Sequence, residues 1–359
     1  MPQEHNYWLT TVAMPTSPAQ SLPESADVAV IGAGFTGLSA ALALARRGAK
    51  VVVLESETIG WGASSRNGGM VLTGLKPGVN ELISKYGREL TRRMYAASLD
   101  TINCVERTVK EENITCDFAR TGHLEVACKQ RHFDDYARQV EVIAREFNHQ
   151  LRIVPRDQLR SEIGSDIYYG GMVDEVSAGL NPARYVAGLA AAAMRAGATI
   201  FEHTTLQKIE RDSQNGAPGF RLTPDNRMLF GGRAAFFPET DQTIRQSVEI
   251  LRRGMVSVYP QLRDTKVEYV WGGTLDFCFD IMPHAGQLDG IYFALGYAGH
   301  GVAMATWQGQ KMAEWIADGK TDNPFAEIPF PGAPLGLYNG KPWFLPFAGA
   351  YYKVLDWVS

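Results

Sequence analysis

The chain has 359 residues, 45% of them hydrophobic and 21% charged, with a formal net charge of −4. That length exceeds the usual single domain, so two lobes are expected, each able to bury a core, and the composition excludes a disordered or fibrous chain. A slightly acidic balance supplies no basic field for a polyanion, which argues against a nucleic-acid partner.

Residues 1–24, with Pro15, Pro18 and Pro23, read as an extended arm. Met1 to Thr11 shows no basic region followed by an apolar stretch, so no signal peptide is expected. Val28 to Ile31 then read as a strand entering Gly32-Ala33-Gly34-Phe35-Thr36-Gly37. Leu38 to Arg47 keep helical spacing, and Val51 to Leu54 form a second strand ending at Glu55 and Ser56. This is the layout of a dinucleotide-binding unit. Gly32 permits the tight turn, Gly34 lets backbone N–H groups approach a pyrophosphate, and Gly37 lets the helix pack closely on the strand. The helix start then turns its partial positive charge toward the diphosphate. Glu55, 21 residues after Gly34, sits where a carboxylate accepts hydrogen bonds from ribose hydroxyls and repels a 2′-phosphate. The stretch from Val28 to Leu54 is apolar enough to mimic a membrane span, but three glycines, Arg46, Arg47 and Lys50 break it.

Gly60 to Gly69 is a run of small residues, too polar and flexible for a core element, that lets backbone come close to a ligand. From Asn80 to about Phe147 the pattern is helical and charged, interrupted by Gly122 to Ala127, which alternate like a strand; this reads as an inserted cap lobe. Asn181-Pro182 opens a helix over Ala183 to Arg195, with proline where its missing N–H is not needed, and Ala198 to Phe201 follow as a strand. Arg221 to Gly232 read as a hairpin around Pro224-Asp225-Asn226. Then come a helix over Thr243 to Leu251 and a strand over Val267 to Trp271. A strand over Ile291 to Leu295 ends in Gly296-Tyr297-Ala298-Gly299-His300-Gly301-Val302, before a helix over Ala303 to Ala317. That second glycine turn repeats the logic of the first, placing helix-start N–H groups at a ligand. Cys104, Cys116, Cys128 and Cys278 have no metal-ligand spacing and suit a reducing compartment, so a cytoplasmic location and no metal are expected.

The combination of Gly32 to Gly37, Glu55, Gly62-Ala63-Ser64-Ser65-Arg66-Asn67-Gly68-Gly69, Asn181-Pro182-Ala183 and Gly299-His300-Gly301 resembles the FAD-dependent amine and amino-acid oxidases of the D-amino-acid-oxidase-like superfamily, most of all the gamma-glutamylputrescine oxidase type. The likeness runs from Tyr7-Trp8 to the C-terminus with one interruption. It implies an α/β fold, α+β in the cap, in which an FAD-binding Rossmann-like domain (25–79, 173–216 and 283–320) carries an inserted mixed-sheet substrate domain (80–172 and 217–282). Residues 321–359 would form a tail packed on the body. The resemblance implies that Gly32, Gly34, Phe35, Thr36 and Gly37 hold the diphosphate, and Glu55 with Ser56 the ribose. Gly62, Ala63, Ser64, Ser65, Arg66, Asn67, Gly68 and Gly69 would run along the diphosphate and flavin. Gly299, His300, Gly301 and Val302 would lie near the pyrimidine end of the ring, where helix-start amides suit the charge of a reduced flavin.

The implied reaction is oxidation of an amine, by hydride transfer to flavin, to an imine that water hydrolyses; the protein mainly positions an uncharged amine. Trp271, Tyr297, Phe277 and Phe279 are candidates for an aromatic wall that desolvates the amine. His300 either touches the flavin through a ring nitrogen or makes a structural hydrogen bond at the helix start. Arg66 either pairs with a phosphate or substrate carboxylate, or is a solvated surface residue. In sarcosine oxidases a cysteine joins the flavin covalently; Tyr269 stands at that position here, which implies noncovalent FAD. The partners implied are a small amine and O2 or another electron acceptor, and the sequence carries no signal of oligomeric state.

The interruption falls at Asp212 to Gly219. Family members continue there into several dozen residues, including a strand that ends in a glycine turn at the FAD, whereas this chain passes directly to the hairpin at Arg221. Either the chain is a shortened homologue with weakened flavin binding, or it joins segments not adjacent in the native polypeptide. Losing that strand would expose strand edges. The aromatic tail from Trp343 to Trp357 reads as a closing helix rather than a membrane anchor, because it has one lysine and no basic cluster.

Overall fold

The computed structural model describes residues 5–17, 21–206, 221–222, 228–229, 241–273, 277–288 and 290–332. Strand β1 (Val28–Ile31) leads into helix α1 (Phe35–Arg46) and strand β2 (Val51–Leu54), as the glycine pattern requires. A short helix α2 (Ala63–Arg66) and strand β3 (Met70–Val71) follow, then helices α3 (Val79–Tyr86) and α4 (Arg88–Glu111). Strand β4 (His123–Val126), helix α5 (Gln130–Phe147), and strands β5 (Arg152–Pro155), β6 (Gly170–Asp174) and β7 (Ala178–Gly179) come next. Helix α6 (Pro182–Arg195) and strand β8 (Thr199–Phe201) complete this half. Strands β9 (Arg221–Leu222) and β10 (Met228–Leu229), helix α7 (Asp241–Val258), strands β11 (His284–Leu288) and β12 (Ile291–Leu295), and helix α8 (Gly301–Asp318) make up the rest.

Strands β1, β2 and β8 form a parallel sheet in that order, with Val28 opposite Val51 and Val53 opposite Ile200. Parallel neighbours need crossovers, and α1 and α6 pack together with α8 to supply the covering layer. Their alanine-rich faces allow close approach: a Cβ on Gly309 of α8 would lie 2.4 Å from the Thr36 carbonyl of α1. The main core joins α1, α6 and the valines of β2 to Ile102, Val105 and Ile114. A second core sets Leu82 and Met94 against Met304, Trp307 and Phe325. An antiparallel sheet, ordered β4, β6, β5, lies under α5.

Two expectations are corrected. Val267 to Trp271 form no strand beyond a single bridge position at Val270, which accepts from the His5 amide at 2.7 Å; Tyr269 and Trp271 pack with Tyr7 and Trp8, so the segment is a seat for the arm. Gly60 to Gly69 is not wholly irregular either, because Ala63–Arg66 make a helical turn with Ser65 fully buried. The helix after the hairpin is longer than expected, running from Asp241 to Val258. The hairpin turn at 223–227, the interruption at 212–219 and the tail from 333 lie outside the described residues.

Candidate functional site

The two glycine turns meet. Thr36 Oγ1, in the first turn of α1, lies 2.8 Å from Tyr297 Oη, just before α8, so the helix starts that follow β1 and β12 are bonded to each other. Gly32 has φ +95° and Gly299 φ +90°, and between them Gly296 and Ala298 are also left-handed, which bends the second turn back toward the first. A Cβ on Gly37 would fall 2.0 Å from the Gly32 carbonyl, so the close packing expected of this glycine is real. Gly34 faces Ser64 instead: its Cβ would meet Ser64 Oγ at 2.9 Å, and that hydroxyl accepts from the Phe35 amide at 3.0 Å.

Glu55 closes on the first glycine turn. Its Oε2 accepts from the Ala33 amide at 2.8 Å and its Oε1 from the Glu57 amide at 2.9 Å; Ser56 Oγ donates to the same carboxylate at 3.3 Å. Among the described residues the amides of Thr36 and Gly37 at the start of α1, and of Gly301 and Val302 at the start of α8, meet no protein acceptor. These are the orphan donors of a helix start, and they suit a diphosphate and a flavin carbonyl respectively.

The segment between the turns is held from behind by the arm, which sequence reasoning included only in the extent of the likeness. Asn6 Nδ2 donates to the Ser65 carbonyl at 2.9 Å, and the Trp8 indole N–H to the Asn67 carbonyl at 2.9 Å. The Trp271 indole N–H donates to the Arg66 carbonyl at 3.1 Å, so Trp271 braces this segment. Arg66 donates to the Trp61 and Gly272 carbonyls at 3.1 and 3.2 Å, with its guanidinium over the Trp61 ring. Asn67 caps α2 by donating to Ala63 and accepts from the Gly69 amide. Gly62 and Gly68 have room for a side chain, unlike Gly34 and Gly37. Phe279 is exposed and Phe277 half-buried.

His300 stands at the N-cap of α8 without capping it, and its Nδ1 is shut off from solvent with no partner. Burial pushes the imidazole down to about 4, helped by the nearby charge of Lys76 and by His123, against a hydrogen bond with the Ala298 backbone. The ring is therefore neutral, with one buried nitrogen available to a ligand. Ser65 Oγ is likewise buried and unpartnered. Unsatisfied polar atoms of this kind cost stability unless a ligand or water meets them, so both fit a bound group between the turns.

Two clusters had no local sequence signal. Tyr95 Oη, His149 and Asp174 form a buried chain, with Tyr95 Oη 2.9 Å from His149 Nδ1 and His149 Nε2 3.1 Å from Asp174; Thr73 and Ser177 also donate to Asp174. Burial raises the Asp174 pKa, but the bonds from His149, Thr73 and the Val176 amide outweigh it and hold the carboxyl at about 2. These residues are brought together from α4, β6 and loops far apart in the chain, so no spacing announces them. Cys278, Asp280 and His284 place one ligand-type atom each within 4.8 Å of one another. There Asp280 accepts from Tyr86 and pairs with His284 and Lys85, so its carboxylate is already satisfied by the protein.

A family model described as FAD dependent oxidoreductase (DAO) matches residues 27–221 and 215–315. A probable oxidoreductase OrdL of Haemophilus influenzae is 30% identical over 410 aligned positions, covering 93% of this chain and 92% of the relative. The gamma-glutamylputrescine oxidoreductase of Escherichia coli is 28% identical, covering 95% of each chain. Among solved structures, glycine oxidase from Geobacillus kaustophilus superposes with a TM-score of 0.69 at 17% identity, over 86% of this chain and 99% of the other, which extends the likeness to the fold. The donors and orphaned polar atoms between the two turns fit the cofactor that this family binds. The chain therefore belongs to the DAO family of FAD-dependent oxidoreductases.

Proposed function

We propose that this protein oxidises an amine at a CH–NH or CH–NH2 group to an imine, with a modified polyamine such as gamma-glutamylputrescine as the preferred substrate class and FAD held noncovalently. The observation that carries the reading is the bond between Thr36 and Tyr297, which brings the two glycine turns together and supports a single elongated ligand shared by both. The 28% identity to the Escherichia coli enzyme supports the substrate class, and Tyr269 in place of a linking cysteine supports noncovalent binding.

Bound FAD would supply the hydride acceptor. The chain's own residues then have four tasks. Glu55 and Ser56 would hold the ribose; Gly32, Gly34, Phe35, Thr36 and Gly37 the diphosphate; Gly62 to Gly69 would line the path to the flavin. Gly299, Gly301 and Val302 would offer amides where negative charge develops. Tyr297 and Trp271, with Phe277 and Phe279, would keep water from the amine and favour its uncharged form. His300 would meet the ring through its neutral, buried Nδ1. Water hydrolyses the released imine to an aldehyde or keto acid. In this reading residues 25–79, 173–216 and 283–320 form the cofactor domain, and 80–172 with 217–282 the substrate domain.

The test is anaerobic addition of an amine panel, gamma-glutamylputrescine included, to FAD-loaded protein. Loss of the oxidised flavin band with one or more amines is expected. Admission of O2 then separates an oxidase, which regains the band, from a dehydrogenase that needs another acceptor. No bleaching by any amine would instead point to a second reading, a flavin-binding homologue without turnover. The family match does not favour a nicotinamide-dependent dehydrogenase. Among the described residues no helix is long and apolar enough to cross a membrane.

A further inference from the structure

The antiparallel sheet of β4, β6 and β5 meets the segment after Gly69 along one seam. Leu180 donates its amide to the Gly69 carbonyl at 2.9 Å, and β3 pairs with β7, so the strand that leaves residues 62–69 lies on the strand that follows β6. Thr73 then bonds to Ser177 through its amide at 3.4 Å and to Asp174 through its hydroxyl. The Gly122 amide donates to the Ser177 carbonyl at 3.1 Å, which sets His123, the first residue of β4, beside this seam.

His123 faces away from the apolar filling of its sheet. Leu124 and Val126 pack with Val154 and Val173, and side chains alternate along a strand, so His123 and Glu125 point to the other face. Asp174 stands directly opposite His123 in the β4–β6 ladder and shares that face. Both acids are already engaged. Tyr136 of α5 donates to Glu125 at 3.2 Å, and Asp174 bonds to His149, Thr73, Ser177 and the Val176 amide. The ring of His123, by contrast, is half-buried and meets no hydrogen-bond partner among the described residues.

Burial pushes the His123 imidazole below its ordinary value, against the pull of Glu125 and Asp174, so the ring is neutral at neutral pH and able to take a proton. His123 and the Lys76 ammonium both act on His300 at the start of α8, so this end of the sheet and the second glycine turn border one space. The remaining charge at hand is Glu175, whose carboxylate lies against Gly122 and pairs with Arg152 at 2.8 Å.

We infer that His123 is a catalytic residue, the group that takes the proton from the substrate's ammonium nitrogen before the amine is oxidised, with Asp174 as the fixed charge that stabilises the imidazolium so formed. His149 and Thr73 are positioning residues, since they hold Asp174 opposite His123. The inference deepens the amine reading and rests on it. One N–H bond of the ammonium group breaks and one ring N–H bond forms, which frees the nitrogen lone pair. The C–H bond then breaks with its electron pair passing to FAD as hydride, and the C=N bond of an iminium forms. The proton on His123 leaves to solvent on the half-open side of the ring.

The test follows anaerobic reduction of FAD-loaded protein across pH by an amine that bleaches it. In the unaltered protein the second-order rate constant should fall as one proton is taken up below about pH 6.5. His123→Asn should remove that limb and lower the constant at neutral pH by roughly 100-fold or more. In His123→Ala, added imidazole should restore part of the loss, which a structural role does not allow. A folded His123→Asn with the original rate constant and pH profile overturns the inference and leaves the amine reading standing. Unaltered protein that no amine reduces overturns the reading, and the inference with it. For variants that do not fold, nitrogen NMR of the histidine rings is recorded on unaltered holoprotein reduced with dithionite, in which oxidation of the amine has no acceptor. Adding the amine should shift the His123 ring signals, and unmoved signals overturn the inference.

Discussion

Glu55 Oε2 accepts the Ala33 amide at 2.8 Å, so the carboxylate that ends β2 closes on the glycine turn that ends β1. The bond to a charged acceptor orders the turn before any ligand arrives. Glu55→Ala removes this bond and, in the proposed reading, the acceptor for ribose. Since bonds to charged groups contribute about 1.5–3 kcal/mol, FAD affinity should fall by roughly 10- to 100-fold. Fluorescence quenching on titrating FAD into apoprotein measures it, and an unchanged Kd would remove Glu55 from the site.

Gly37→Ala places a methyl 2.0 Å from the Gly32 carbonyl and 3.1 Å from Val30 Cγ1. Backbone cannot give way there as a side-chain tip can. A loss of about 3 kcal/mol or more, or failure to fold, is expected in denaturant unfolding. Gly62→Ala, which has open space around its Cβ, serves as the control and should cost little.

The arm supports residues 65–67 from behind. Trp8 is fully buried and donates to the Asn67 carbonyl, and Asn6 donates to the Ser65 carbonyl. Trp8→Ala should cost about 3–5 kcal/mol and weaken FAD together with stability. Asn6→Ala should cost about 1–3 kcal/mol by leaving a buried carbonyl unpaired. Thermal melts with and without FAD separate the two effects: a larger loss in the holoprotein places the arm's role at the cofactor.

Stability of the apoprotein should depend on pH through His300. Its imidazole titrates at about 4 in the folded chain and near 6.5 when unfolded. Between these values the unfolded chain binds the proton and the folded chain does not. The contribution is therefore complete above pH 6.5 and is lost as the pH falls to 4, by roughly 3 kcal/mol at most. His123, also lowered by burial, acts in the same direction, and Lys76 is the charge nearby. His300→Asn should reduce the slope of unfolding free energy against pH in that window; an unchanged slope would assign the dependence to His123. Asp174, held at about 2, makes its own loss at lower pH, as its carboxyl takes up a proton.

Tyr297→Phe breaks the bond to Thr36 but keeps the ring. A cost near 1 kcal/mol is expected, with a modest rise in the Kd for FAD. A large fall in kcat with unchanged FAD affinity would instead give the hydroxyl a part in substrate handling.

The nucleotide unit was legible in the sequence because its constraints are local. Strand, turn, helix and acid lie within about thirty residues, and each glycine answers a backbone or contact demand that the structure meets at Gly32 and Gly37. The helix starting at Pro182, the strand Ile291–Leu295 and the second turn were readable for the same reason. Val267 to Trp271 misled because β-branched and aromatic residues suit a strand and equally suit a packed coil, and only the arm decided between them.

What the chain by itself determined was its class of ligand, through the two glycine turns and the acid, since these depend on neighbours in sequence. The tertiary structure alone decided that Thr36 and Tyr297 meet, that Asn6 and Trp8 grip residues 65–67, and that His149 joins Tyr95 to Asp174. The reason is physical: such contacts form between residues tens to hundreds of positions apart, and their partners are selected by packing of whole elements rather than by any periodicity within one.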